Sequence, residues 1–466
     1  MKFTRGFWTA ASALLCLCSG YGTAAVQAGT GVAAVSGAAA GVAPTSPAVE
    51  QGLVMRLNGN KLLVSPGKVW VNDRLIAVTA ETMLDIELPA VTAVRDQALE
   101  IFADPLAGIS SKSIPADLKA SAGDPVPLAG LLVPASMQIR AAKGGTGPEY
   151  KKGVDYAIDE RWGAIASLPG GAIKKGQTAY VSYKYSGRRL DTVVVSDKGK
   201  VSLASGATAK SAPVPPQIPA GVLAIANIYV PPTPTSPHPE IIPIKTLQAV
   251  PLSNELRESN RKALSRTLAK LKTGEPLNLV FWGDSVTGGA DASAPERFFT
   301  NRFMNGLRAR FPQAQITVTN LGVGGTNTNH RLPGLDKDVL SRKPDLVVVE
   351  FVNDMMLPAD QLEANYAKIV SSIKQSGAEL ILFTPHLPAP AVMSAPSWQA
   401  VAAKPYVKLV RRIAASSQVG LADVASRWEG LRREGLRPEF MLTDEVIHPN
   451  DCGHSIYAEE LLKCFE

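Results

Sequence analysis

Cysteine is scarce in this chain, four residues in 466, and Cys16 and Cys18 fall in an N-terminal apolar stretch. The other two, Cys452 and Cys464, flank a predicted last helix. A regular helix would hold them about 18 Å apart, which excludes a disulfide between them and predicts free thiols. Histidine is nearly as rare, with five in the whole sequence. The apolar stretch Phe7 to Cys18 is too short to cross a bilayer, so no transmembrane span is expected. Long runs of one charge are missing too. The net charge of +7 is dispersed, with only short pairs such as Arg411-Arg412 and Arg432-Arg433, which reads as solvated surface and not as a nucleic-acid site. The chain also lacks a G-x-S-x-G elbow, an H-E-x-x-H zinc site and a P-loop. Neither a metal nor a cofactor is expected.

What is present is a set of four segments, three of them apolar runs ending in small or polar residues and the fourth a histidine-bearing stretch near the C-terminus. Leu277 to Trp282 reads as a buried strand and delivers Gly283-Asp284-Ser285 to its carboxyl end, where open α/β sheets collect ligands. Ser285 is therefore a candidate nucleophile, although Gly, Asp and Ser are also ordinary turn residues. Ile316 to Asn320 runs into Leu321-Gly322-Val323-Gly324-Gly325-Thr326, a bend whose backbone can approach a ligand closely. A dinucleotide fingerprint would need glycine at 327, which is Asn327, so that cofactor reading is rejected. Asp345 to Phe351 reads as a central strand and brings Asn353 to the same edge, where a carboxamide can donate to an anionic oxygen. The fourth segment, Thr443 to His454, holds two of the five histidines, with carboxylates just upstream of His448. An imidazole so placed can take a serine proton while a carboxylate holds the ring.

These four segments, in this order, resemble the blocks of the SGNH or GDSL hydrolase superfamily, over roughly Leu277 to the C-terminus. The resemblance implies a three-layer α/β/α, flavodoxin-like domain with a parallel sheet. It implies Ser285 as nucleophile and first oxyanion donor, Gly325 as second donor with Gly324 as fallback, Asn353 as third, and His448 as general base. The family places an Asp three residues before the histidine. Here that position is Glu445, with Asp444 one residue further back, and spacing favours Glu445 as the acid. His330 and His386 lie after the second and fourth predicted strands and are candidate substrate contacts, with loop hydrogen bonding as the alternative.

Along the chain, residues 1–28 read as a signal peptide, with Lys2 and Arg5 ahead of the apolar stretch and small residues near Ala25 and Ala28. Export to the periplasm or the medium is the expectation. Lipidation is disfavoured because Leu15 and Leu17 precede the cysteines. Residues 29–51 are an Ala/Gly/Pro-rich tether. Residues 52–229 carry strand signals and read as one or two small β-sandwich-like modules, in which Trp70, Trp162, Tyr150 and Tyr156 are either a sugar-stacking platform or core. A Pro-rich linker spans 230–253, and strands and helices alternate over 254–466. The reading is an exported serine esterase that removes O-acetyl or other short acyl groups from a carbohydrate, with glycan contact through the β module. Lipid esterase, lysophospholipase or thioesterase activity is the alternative in the same class. A non-catalytic glycan-binding or surface protein with a degenerate hydrolase domain is the alternative of another class.

Overall fold

The computed structural model describes residues 49–50, 53–71, 74–101, 130–160, 163–174, 176–233, 238–245, 252–390, 393–395, 398–443 and 447–466. The expected signal peptide, most of the tether, Trp162, Asp444 and Glu445 lie outside the described residues.

The β-rich region is built from antiparallel strands whose side chains alternate between core and solvent. Two small sheets come first in the chain. One joins Val49–Glu50, Gly67–Val71 and Arg74–Val78, and the other joins Met55–Asn58, Lys61–Val64 and Thr82–Asp85. Their inward residues, among them Leu62, Val64, Val69 and Val71, do not close on each other alone. They share a core with Val193, Val195, Ile225 and Ile228 of a four-stranded sheet that forms much later, Arg189–Ser196 with Val201–Ala204, Val222–Val230 and Glu240–Pro243. The residues between belong to a second unit, in which Val91–Ile101, Gln177–Ser186 and Gln138–Arg140 pair around Ile101, Ile139, Ile165 and Val181. One β module is thus nested within the other, an order that linear strand signals could not show.

Tyr150 and Tyr156 are buried in the second core, so burial removes both from a sugar-stacking platform. The segment Glu240–Pro243, expected in a linker, is an edge strand paired with Val222–Val230. This strand pair and the chain just after it fasten the two halves together. Lys245 N–H donates to Arg433 O at 2.7 Å, Asn227 Nδ2 donates to Gly435 O at 2.9 Å, and Tyr229 packs on Phe440 with ring centroids 5.0 Å apart.

The C-terminal half is an α/β domain with a five-stranded sheet. In spatial order its strands are Gln315–Gly322, Pro276–Gly283, Leu346–Glu350, Glu379–Thr384 and Gly420–Asp423, all parallel. Numbered along the chain this is the order 2-1-3-4-5, the flavodoxin-like arrangement, in which the chain reverses direction across the sheet at the first strand. The two strands of the sheet centre that matter most for the site are buried almost throughout. Leu279 to Trp282 and Leu346 to Glu350 have no solvent-facing side, because helices cover both faces of a parallel sheet. The edge strand Gln315–Gly322 instead keeps an exposed side.

Helices form where apolar residues recur at helical spacing, and two such stretches are each divided in two. The first such stretch forms Asn254–Ala263, capped by the Ser253 hydroxyl, and Ser265–Thr273. The second is split into Trp398–Ala402 and Pro405–Ser417, because Pro405 lacks the N–H that would continue the ladder. The last helix, Asp451–Lys463, runs unbroken between Cys452 and Cys464.

Candidate active site

Ser285 lies two residues beyond the first strand of the parallel sheet and stands at the point where strand order reverses. Gly283 makes that turn possible. A Cβ there would lie 2.1 Å from both Glu350 O and Thr287 Oγ1, so no larger residue fits between the first and third strands. The turn then tightens through Gly288 N to Asp284 O at 3.0 Å and Ala290 N to Ser285 O at 2.9 Å, leaving the half-buried hydroxyl at the sheet's edge.

His448 reaches that hydroxyl from the opposite end of the chain. Ser285 Oγ lies 3.1 Å from His448 Nε2, within hydrogen-bond distance. The histidine is held by its backbone, for Thr443 N donates to His448 O at 2.8 Å and Leu442 bridges Pro449. Just beyond it Asn450 caps the final helix, accepting from Cys452 N and Gly453 N, and anchors the loop by donating to Phe440 O at 2.6 Å.

The glycine bend borders the nucleophile. A Cβ on Gly324 would sit 3.7 Å from Ser285 Cβ, and Gly325 turns the chain at φ +72°, a conformation that glycine adopts without steric cost. Among the described residues neither the Gly324 nor the Gly325 N–H is taken by a protein acceptor. Asn353 completes this side. Its Nδ2 donates one hydrogen to Thr326 O at 3.0 Å, which ties it to the bend and leaves the second amide hydrogen for another acceptor.

Beneath these groups lies a set of buried carboxyls. Asp284 accepts from Val286 N and Asn353 N, both at 3.0 Å, so one side chain fixes the nucleophile turn to the Asn353 loop. Burial pushes its pKa up to about 6 in spite of those amides. Glu350 accepts from the Thr287 hydroxyl at 2.8 Å, and burial, reinforced by Asp284, raises it well above the ordinary carboxylate range. Asp354 accepts from the Thr328 amide and hydroxyl at 2.8 and 2.9 Å and is raised by burial to about 7. The sequence pointed to none of these three as a buried carboxyl, because an acid at a strand end or in a turn gives no hint of what surrounds it.

The structure corrects the substrate role expected of His386. Its ring is fully buried, 2.7 Å from the Tyr457 hydroxyl and against Trp428, and burial lowers its pKa to about 3. It supports the core beneath the site and cannot touch a substrate. His330 is spent locally in a different way, accepting from Asn327 N at 3.3 Å in a capping box at the start of Thr328–Arg331. Asp444 and Glu445 lie outside the described residues. Among the described residues a carboxylate does stand at His448: Asp291 Oδ2 is 3.3 Å from His448 Nδ1. Asp291 comes six residues after Ser285 in a run of small residues, Gly288 to Ser293, and nothing in its spacing sets it apart.

Residues 281–456 match the sequence model of the GDSL-like lipase/acylhydrolase family. The C-terminal domain belongs to that family and is a carboxylic ester hydrolase. This GDSL domain is 24% identical over 221 residues to the acetylxylan esterase of Geobacillus stearothermophilus, an alignment covering 41% of this chain and 95% of the relative. Among solved structures, a two-domain esterase (CEX) active on acetylated mannans is 25% identical with a TM-score of 0.37, covering 44% of this chain. This chain spans about half, 52%, of that esterase's length. The acetyl xylan esterase AlAXEase is 22% identical with a TM-score of 0.34, covering 40% of this chain and 98% of its own. Residues 147–270, ahead of the GDSL domain, match a domain of unknown function, DUF4815.

Proposed function

We propose that this protein is an exported serine esterase that removes acetyl or other short acyl groups from a carbohydrate. The observation that carries the reading is the 3.1 Å contact between Ser285 Oγ and His448 Nε2, made beside a bend with free amides. In this reading His448 accepts the Ser285 proton as the hydroxyl attacks the ester carbonyl. The carbonyl oxygen becomes an oxyanion, held by the Ser285 amide, the amide of Gly325 or Gly324, and the second hydrogen of Asn353 Nδ2. His448 then returns the proton to the departing sugar hydroxyl, and water, deprotonated in turn by His448, releases the acid from the acyl-serine.

The acetyl preference draws on the relatives' substrates and on what surrounds the site. Val323 in the bend and Met356 three residues after Asn353 are exposed apolar side chains. Export is supported by the charged and apolar pattern of residues 1–28. The test is hydrolysis of p-nitrophenyl acetate and p-nitrophenyl octanoate, together with acetate release from acetylated xylan and mannan, by the full chain and by Ser285→Ala. Acetate release that Ser285→Ala lowers about 10⁴-fold or more supports the reading. Equal rates from the two proteins, with no labelling of Ser285 by a fluorophosphonate, would reject it. Faster turnover of octanoate would move the substrate to lipid esters.

A further inference from the structure

We infer that Asp291 is the carboxylate that orients His448, in place of the residue upstream of the histidine that family spacing favours. The inference rests on the esterase reading for its consequence, though not for its geometry. Asp291 Oδ2 lies 3.3 Å from His448 Nδ1, the ring nitrogen facing away from Ser285, and the carboxylate side chain is 8% exposed against 31% for the imidazole. Such pairs are often this long in substrate-free sites and tighten when substrate binds. A carboxylate there selects the tautomer with the proton on Nδ1, leaves Nε2 free to take the serine proton, and stabilises the imidazolium that results.

The loop is built to hold that carboxylate in place. Asp291 is one of few non-glycine residues in the left-handed region, at φ +63°, where strain persists only if the surroundings enforce it. They do so from both sides. Before it, Ala290 O accepts from His454 Nε2 at 3.0 Å, and the same ring accepts from Phe299 N through Nδ1 at 3.3 Å. After it, Ser293 donates to Asp451 through its amide at 2.9 Å and its hydroxyl at 2.7 Å, and Arg297 Nη1 joins the same carboxylate at 3.1 Å. Asp451 and His454 belong to the helix that begins three residues after His448. Thr443 links the two directly, donating its hydroxyl to Asp291 O at 3.4 Å and its amide to His448 O at 2.8 Å. Acid and base are thus fixed to one scaffold and keep their spacing. The other described groups that bear on His448 have different duties. The oxygens of Asp284 accept from the Val286 and Asn353 amides, and His386 is a buried, neutral ring on Tyr457.

The experiment compares Asp291→Asn, Glu445→Gln and Asp444→Asn in the full chain. Asparagine tolerates the left-handed conformation as well as aspartate does, so Asp291→Asn retains the loop while removing the charge. The expected result is a kcat about a thousandfold lower with KM changed less than about threefold. Histidine ring NMR, with the His448 signal assigned by its loss in His448→Gln, should show the His448 pKa falling by about one unit or more in Asp291→Asn. Glu445→Gln and Asp444→Asn should stay within about threefold of the parent in kcat and leave that titration in place. An Asp291→Asn protein with unchanged kcat and unchanged His448 titration overturns the assignment, as does either upstream variant reproducing the full effect. The titration decides it even if no ester is turned over and Ser285 escapes a fluorophosphonate, the result that would count against the esterase reading alone.

Discussion

The β-rich half and the GDSL domain treat buried charge in opposite ways. In the β region Arg189 is paired with Asp191 in a two-point contact, 2.6 Å through Nε and 2.8 Å through Nη2, and the guanidinium also donates to Glu87 O at 2.7 Å. Asp191 accepts in addition from Gly206 N at 2.9 Å. Both charges of this pair are answered by an opposite charge and a backbone dipole, as burial ordinarily demands. Under Ser285 the GDSL domain gathers Asp284, Glu350 and Asp354, and among the described residues no cation is paired with any of them. Away from the nucleophile the same domain returns to the first pattern, with Arg427 and Glu434 paired at 2.7 Å. Polar groups in the β half therefore hold the fold together, whereas those beneath the nucleophile hold the site's loops at some cost to stability.

If that division is right, a change at the site should cost rate and little stability. The largest effect on rate expected in this comparison is for Asn353→Ala, which removes one of the three proposed oxyanion donors and should lower kcat about a hundredfold to a thousandfold. Asn353 is half-buried and its side chain makes one protein bond, to Thr326 O, so thermal unfolding should shift by only a few degrees. A variant that keeps its rate, or that unfolds before it can be assayed, would break the contrast.

The mirror-image change belongs to the β half. Asp191→Ala leaves the Arg189 guanidinium buried beside a missing partner, and losing one member of a buried pair costs about 3–5 kcal/mol. Denaturant unfolding should detect that loss, while kcat on p-nitrophenyl acetate stays within about twofold for the folded fraction. A comparable fall in kcat would mean that the two halves are coupled through the contacts of Asn227, Tyr229 and Lys245.

The same contrast explains how much the sequence could disclose. Continuous apolar runs such as Leu277 to Trp282 and Leu346 to Val349 announce buried parallel strands, and the chemistry sits in the residues at their carboxyl ends. Ser285 and His448 were legible as candidates because local chemistry marks them: a serine in a turn after a strand, and a histidine with carboxylates just upstream. Asp291 was not, because its position depends on His454 and Asp451, more than 150 residues away, gripping the loop on either side. His386 misled for a related reason. It comes after a sheet strand, as substrate contacts do, but Tyr457 and Trp428 cover it, and periodicity cannot show which loop a later helix will bury. Nesting of the two β modules was equally hidden, since Val64 and Val193 meet across the whole intervening unit.

The smallest expected effect tests the site's unusual floor directly. Glu350 holds a proton in the folded protein at pH values where the unfolded chain has released it, because burial raises its pKa well above 4.5. Folding is therefore favoured below the unfolded value, and this contribution is lost as pH rises toward the folded one. Asp284, raised to about 6, and Asp354, raised to about 7, slope the same way. His386 and His454, lowered by burial to about 3 and about 4, slope the other way, destabilising the fold as pH drops below the ordinary histidine value of 6.5. The parent's own curve mixes these terms, but the difference from Glu350→Gln reports Glu350 together with its coupling to Asp284. Glutamine imitates the protonated acid and can still accept from Thr287, so the variant should lose stability less steeply between pH 5 and pH 7, by up to about 1.4 kcal/mol per pH unit, the weight of one proton. Parallel unfolding curves for parent and variant across that range would show that Glu350 is ionised when folded, and that the floor under Ser285 is charged after all.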